Sequence, residues 1–104
     1  MGVESAASYG RASELCTIQR LTSAGNIKAT AGKLYWLIIS NANSSMRHCT
    51  LHDDNDGTAD EICKFYNPAE STRVYNFDPP IPCDTGIRIG NIEHSDVIVT
   101  GGYV

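Results

Sequence analysis

The sequence predicts an all-β domain: an antiparallel two-sheet β-sandwich of jelly-roll or immunoglobulin-like type, with seven or eight short strands. Three observations carry that expectation. No 3.6-residue apolar period holds over about ten residues anywhere in the chain. Short runs rich in β-branched and aromatic residues recur at roughly ten-residue spacing. Gly, Pro, Asn and Asp fall between those runs, where turns need them. A closed barrel would share this spacing, so sheet closure stays open here.

Residues 1–13 are small and polar without alternation and read as a flexible arm, leaving 14–104 as one domain. The first strand candidate, Glu14–Leu21, ends at Ser23-Ala24-Gly25-Asn26, and a short one, Ile27–Thr30, ends at Ala31-Gly32. The third, Lys33–Asn41, is apolar on both alternating phases: Leu34, Trp36 and Ile38 on one, Tyr35, Leu37 and Ile39 on the other. A strand with one wet face alternates apolar with polar, so this run predicts that both faces are covered, either by a loop or arm or by another subunit.

Asn41–Ser45 is a turn, and Met46–His52 is the fourth candidate. Asp53-Asp54-Asn55-Asp56-Gly57 then supplies hairpin chemistry. Glu61–Tyr66 is stopped by Asn67-Pro68, and Thr72–Phe77 by Asp78-Pro79-Pro80-Ile81-Pro82, expected as a loop or a sheet-edge crossing because proline donates no ladder bond. Gly86–Ile89 and Val97–Thr100, the latter continuing through Gly101-Gly102, complete the count.

Composition narrows the function. Eight Lys and Arg against 12 Asp and Glu give a net charge of −4, which offers no basic surface for nucleic acid or an anionic membrane. The longest apolar run, Leu34–Ile39, is far below the ~20 residues of a transmembrane helix. The first ten residues lack the basic and apolar regions of a secretory signal. A soluble chain made in a cytoplasm is the expectation.

Cys16, Cys49, Cys63 and Cys83 contain no C-x-x-C spacing, and buried reduced thiols are expected. Cys49 and Cys63 flank one predicted hairpin and are the pair to watch for a disulfide. Asp54, Asp56 and Gly57 match positions of a calcium loop, but His52 and Cys63 stand where its terminal carboxylates belong. His48 and His52, four apart on one strand face, with His94, invite a metal reading that competes with ordinary surface histidines. No G-x-S-x-G is present, and Asp84 beside Cys83 raises rather than lowers that thiol's pKa. No catalytic, cofactor or metal residue is assigned. Tyr9, Tyr35, Trp36, Tyr66, Tyr75 and Tyr103 could line a sugar-binding surface, although residues of this kind more often serve as sandwich core and interface.

Four stretches together carry a resemblance: Ala31-Gly32-Lys33-Leu34-Tyr35-Trp36-Leu37-Ile38-Ile39-Ser40-Asn41; Leu51-His52-Asp53; Phe77-Asp78-Pro79-Pro80-Ile81-Pro82-Cys83-Asp84-Thr85-Gly86-Ile87; and Val97-Ile98-Val99 with Gly102-Tyr103. Over roughly residues 14–103 the chain resembles small β-sandwich virion proteins of tailed bacteriophages, although its four cysteines depart from their pattern. The resemblance implies a head-decoration or fibre component of the virion, assembled in the host cytoplasm. It also implies a homo-oligomer, trimer or pentamer, in contact with other virion proteins. Tyr35, Leu37 and Ile39 would then be core, and Trp36 and Ile38 would face a neighbouring subunit. The expected function is a non-enzymatic, self-associating structural protein. A carbohydrate-binding module and a small cupin-like metal-dependent enzyme are the alternatives.

Overall fold

A computed structural model describes residues 16–104 of the protein. The expected arm and the first two residues of the first strand candidate lie outside the described residues. Eight strands follow in order: β1 (Thr17–Leu21), β2 (Gly25–Lys28), β3 (Gly32–Asn41), β4 (Arg47–Asp53), β5 (Glu61–Asn67), β6 (Ser71–Cys83), β7 (Ile87–Gly90) and β8 (Val97–Tyr103).

They form two four-stranded antiparallel sheets, ordered β1-β8-β3-β6 and β2-β7-β4-β5. Strands β4 and β5 pair as a hairpin, and so in turn do β3 with β6, β2 with β7 and β1 with β8. The chain is therefore one long hairpin wrapped around a core, with β3–β8 and β4–β7 ladders joining the wraps. This is a jelly-roll sandwich, which settles the choice left open with an immunoglobulin-like order.

The core is the inner face of both sheets. Leu34, Leu37, Ile39, Val97 and Val99 meet Ile27, Cys49, Leu51, Phe65, Ile87 and Ile89. Phe65 stacks at a tilt on Tyr75, 4.8 Å between ring centroids, and closes the side where β5 meets β6.

Two expectations need correction. The Pro-rich stretch 78–82 belongs to β6, which extends to Cys83. Proline is tolerated there because β6 is an edge strand and its ladder is interrupted: Asn76 faces Trp36 and Ile81 faces Leu34, so residues 77–80 have only Tyr35 to face. The same irregularity changes the phase of β3. Leu34 is fully buried before it, Leu37 and Ile39 after it, and Tyr35 is only half-buried, so Leu34 replaces Tyr35 in the expected core set.

Polar clasps close both ends. At one, buried Asn41 places Nδ2 within 3.0–3.1 Å of the carbonyls of Ser45, Asn67 and Pro68, and its Oδ1 accepts from the Asn43 amide. Buried Asn67 donates to Phe65 O and accepts from Tyr75 Oη at 3.0 Å. At the other end, the Asp53 carboxylate accepts the amides of Asp84, Thr85 and Gly86, tying β4 to the β6–β7 loop. Asp54 accepts those of Asn55, Asp56 and Ala59, shaping the β4–β5 loop.

These amides hold both carboxyls below the usual aspartate range, the Thr85 amide contributing most for Asp53 and the Asp56 amide for Asp54. Unfolded, both carboxyls titrate near ~3.9. Their contribution is therefore present above about pH 4 and is lost as pH falls through the folded values. The melting temperature is expected to be level near neutrality and to fall steeply below about pH 4. Asp53→Asn should lower the neutral melting temperature and flatten the acid limb, as followed by circular dichroism.

Candidate functional site

With the inner faces consumed by the core, the two outer faces are the broad surfaces left exposed, and these differ in chemistry. On the first sheet, the register places Ile18, Gly102, Trp36 and Asn76 in one outward row, and Arg20, Thr100, Ile38 and Val74 in the next. Gly102 makes the first row possible, because a Cβ there would overlap the Trp36 indole, which lies across the glycine backbone. Trp36 and Ile38 are half-buried, while Ile18 and Val74 at the margins are 61% and 59% exposed. The two-faced character of the third strand is thus resolved: one phase fills the core, and the other, phase-shifted at Tyr35, forms an apolar ribbon on the outer surface. The register joins Trp36 and Ile38, both singled out in the sequence, to Ile18 and Val74, which were not.

The outer face of the second sheet is polar. His48, Thr50 and His52 run along β4, opposite Tyr66, Lys64 and Glu61 of β5, while Gly90 and Arg88 of β7 face Thr50 and His52. His48 is locked between Glu93 Oε2, 2.7 Å from Nδ1, and the Asn91 amide, 3.0 Å from Nε2. Its ring leans on Tyr66 at 5.6 Å between centroids. His52 contacts Ala59 O through Nδ1 at 2.9 Å and Thr50 Oγ1 through Nε2 at 2.8 Å, and Thr50 donates to Gly90 O at 2.9 Å. A concavity of ≈ 320 Å³ opens over Thr50 and Gly90, walled by Arg88, Glu61 and Asn91.

The four-residue spacing does put His48 and His52 on one face, but both nitrogens of each ring are engaged within the fold. His94 lies apart on the β7–β8 connection, its Nδ1 near Asp96. Among the described residues, no group of three His, Cys, Asp or Glu side chains is placed to hold a metal ion. Asp54 of the acidic turn spends both oxygens on loop amides.

Cys49 and Cys63 share the inner face of the β4–β5 pair but are not opposite one another. Cys49 faces Phe65 and Cys63 faces Leu51, a diagonal placement, and both are free thiols instead of the disulfide considered from the sequence. Burial pushes the Cys49 thiol up to about 12, with Cys63 adding to it. Cys83 is buried, and burial foremost, then Asp53 and Asp84, raises it to about 11. Arg88 and Gly90 escaped the sequence reading, although buried Ile87 and Ile89 on either side of Arg88 are the alternation that points it outward.

Comparison with known proteins found no matching family model, no matching curated protein and no matching solved structure.

Two outcomes follow. Gly102→Ala should displace Trp36, the only tryptophan, and cost about 1–3 kcal/mol, seen as red-shifted emission with a lowered melting temperature. Gly25→Ala, where an added Cβ makes ordinary contacts, should change neither. In native protein at mildly alkaline pH, alkylation followed by peptide mapping should spare Cys49 and Cys83, and both should label once the chain is unfolded.

Proposed function

We propose that the protein is a non-enzymatic structural building block that associates with copies of itself through the outer face of the first sheet, as a head-decoration or fibre component of a virus particle. The observation that carries the reading is the apolar ribbon of Ile18, Trp36, Ile38 and Val74, aligned by the register of four adjacent strands. Strand spacing and rise make the two rows about 19 Å by about 13 Å, on the order of 250 Å², the size of the apolar centre of an interface to which each partner commonly contributes ~800 Å². Arg20 on β1 and Asn76 on β6 share the ribbon's face at its two margins and give it the polar rim typical of such surfaces.

The jelly roll serves capsid proteins, lectins and cupins alike, so the fold by itself selects none of the three. The virion assignment draws on the sequence resemblance and the self-association on the ribbon. Closure into a trimer or pentamer requires the ribbon to meet a different patch on the neighbour, whereas ribbon against ribbon gives a two-fold dimer.

Sedimentation velocity of the full chain at rising concentration tests this. A discrete oligomer is expected, with Ile18→Glu and Val74→Glu each shifting it towards monomer by about tenfold in dissociation constant or more. Both side chains are mostly exposed, so neither change should lower the melting temperature of the monomer. A strict monomer at high concentration, or an oligomer indifferent to both changes, overturns the reading.

A further inference from the structure

We propose that the outer face of the second sheet binds a neutral sugar, a mono- or disaccharide unit of a larger glycan, in the trough over Thr50 and Gly90. The trough is built into the fold. A Cβ at Gly90 would fall 2.6 Å from His52 Nε2 and 3.1 Å from Thr50 Oγ1, so glycine is what lets the His52 imidazole lie down across the sheet. Thr50, His52 and the carbonyls of Ala59 and Gly90 bond among themselves, which leaves the floor rigid and preformed.

Its walls carry one donor fork and one acceptor fork. Glu61, His52 and Arg88 stand in a single cross-strand row. The backbones of Glu61 and Arg88 are therefore about 10 Å apart, the span of a pyranose ring with a hydrogen bond at each side. The Arg88 guanidinium bonds Asn26 Oδ1 at 3.2 Å and has further N–H groups to offer. Glu61 is exposed, with Lys64 Nζ 3.6 Å from Oε1. Sugar hydroxyls donate and accept at once, so a neutral polyol uses both walls. An anion meets Glu61 and a cation meets Arg88.

Tyr66 supplies the apolar contact that sugars require. It is 52% exposed, diagonal to Thr50 across the β4–β5 ladder, and so about 7–8 Å away. His48, itself held by Glu93 and Asn91, supports the Tyr66 ring without covering it. A fixed, half-open aromatic ring beside a polar trough matches the two-sided character of a pyranose, with C–H groups on its faces and hydroxyls at its rim. The concavity of ≈ 320 Å³ is of a size for one or two such rings. This face lies on the opposite side of the sandwich from the apolar ribbon, so the two surfaces can be occupied together.

The test is saturation-transfer and amide-shift NMR on the full chain, with glucose, galactose, mannose, N-acetylglucosamine and their disaccharides, and with sialic acid and a sulfated disaccharide as charged probes. At least one neutral sugar should receive saturation and shift Thr50, Arg88, Gly90 and Tyr66. Arg88→Met, Glu61→Gln and Tyr66→Ala should each weaken that sugar by about tenfold or more with the melting curve unchanged, and Tyr66→Phe should retain it. No response to any neutral sugar, a response confined to the charged probes, or one that survives both Arg88→Met and Glu61→Gln overturns the proposal.

Discussion

A strand that is apolar on both phases cannot choose its own register, because a slip of one residue exchanges one greasy face for another. In β3 that choice is made by shape. Gly101 and Gly102 of β8 stand opposite Leu37 and Trp36. A side chain at the first would collide with Ile27 and Leu37 in the core, and one at the second with the indole on the surface. Two adjacent glycines thus accept one bulky residue on each side of the sheet, and only the observed alignment offers both. The irregularity at Tyr35 is the complementary device: it turns Leu34 and Leu37, which are three residues apart, to the same side. Everything positioned by the first sheet, the core on one face and the ribbon on the other, depends on that fit.

The wrapped hairpin needs its ends held as well as its middle, since two sheets without covalent cross-links can splay. Asn41 and Asn67 bind the β3–β4 turn to the β5–β6 turn through buried amides. Asp53 and Asp54 draw two loops together at the opposite end using six backbone amides as donors. Each clasp joins segments far apart in sequence. Among the described residues, no buried side-chain nitrogen or oxygen lacks a partner, so these polar groups offset their own desolvation. The acidic turn that resembled a calcium loop in sequence is therefore occupied by the chain's own amides.

Most of the strands were legible in the sequence because turn residues mark their limits; apart from β1, whose start lies outside the described residues, and β6, boundaries agree to about two residues. What failed did so for long-range reasons. The prolines of β6 argue against a strand only if the strand is central, and edge position is a property of the sheet. The exchange of Tyr35 for Leu34 in the core follows from an irregularity that interrupts the ladders of β3 with both β8 and β6, strands far downstream, which no local pattern encodes. Cys49 and Cys63 flank their hairpin as expected, but an extra residue beside Leu51 and His52 and the ladder's own register leave them diagonal. The histidine spacing put two rings on one face correctly; their partners Asn91, Glu93 and Ala59 come from loops whose approach is tertiary.

The two outer faces show how a small sandwich can carry two kinds of surface chemistry. A core two layers deep uses one phase of each strand, and the remaining phases can be chosen almost independently for each sheet. On the first sheet they are Ile18, Trp36, Ile38 and Val74, side chains whose burial gains from dehydration and asks little of direction. On the second they are His48, His52, Glu61 and Arg88, whose value lies in direction, and loops bearing Ala59, Asn91 and Glu93 are bent over the sheet to aim them. The glycines follow the same division: Gly102 makes room for an indole to spread over a surface, while Gly90 makes room for an imidazole to be aligned. An apolar face suited to flat contact and a polar face suited to oriented contact thus arise from one backbone, because the core constrains only half of each strand.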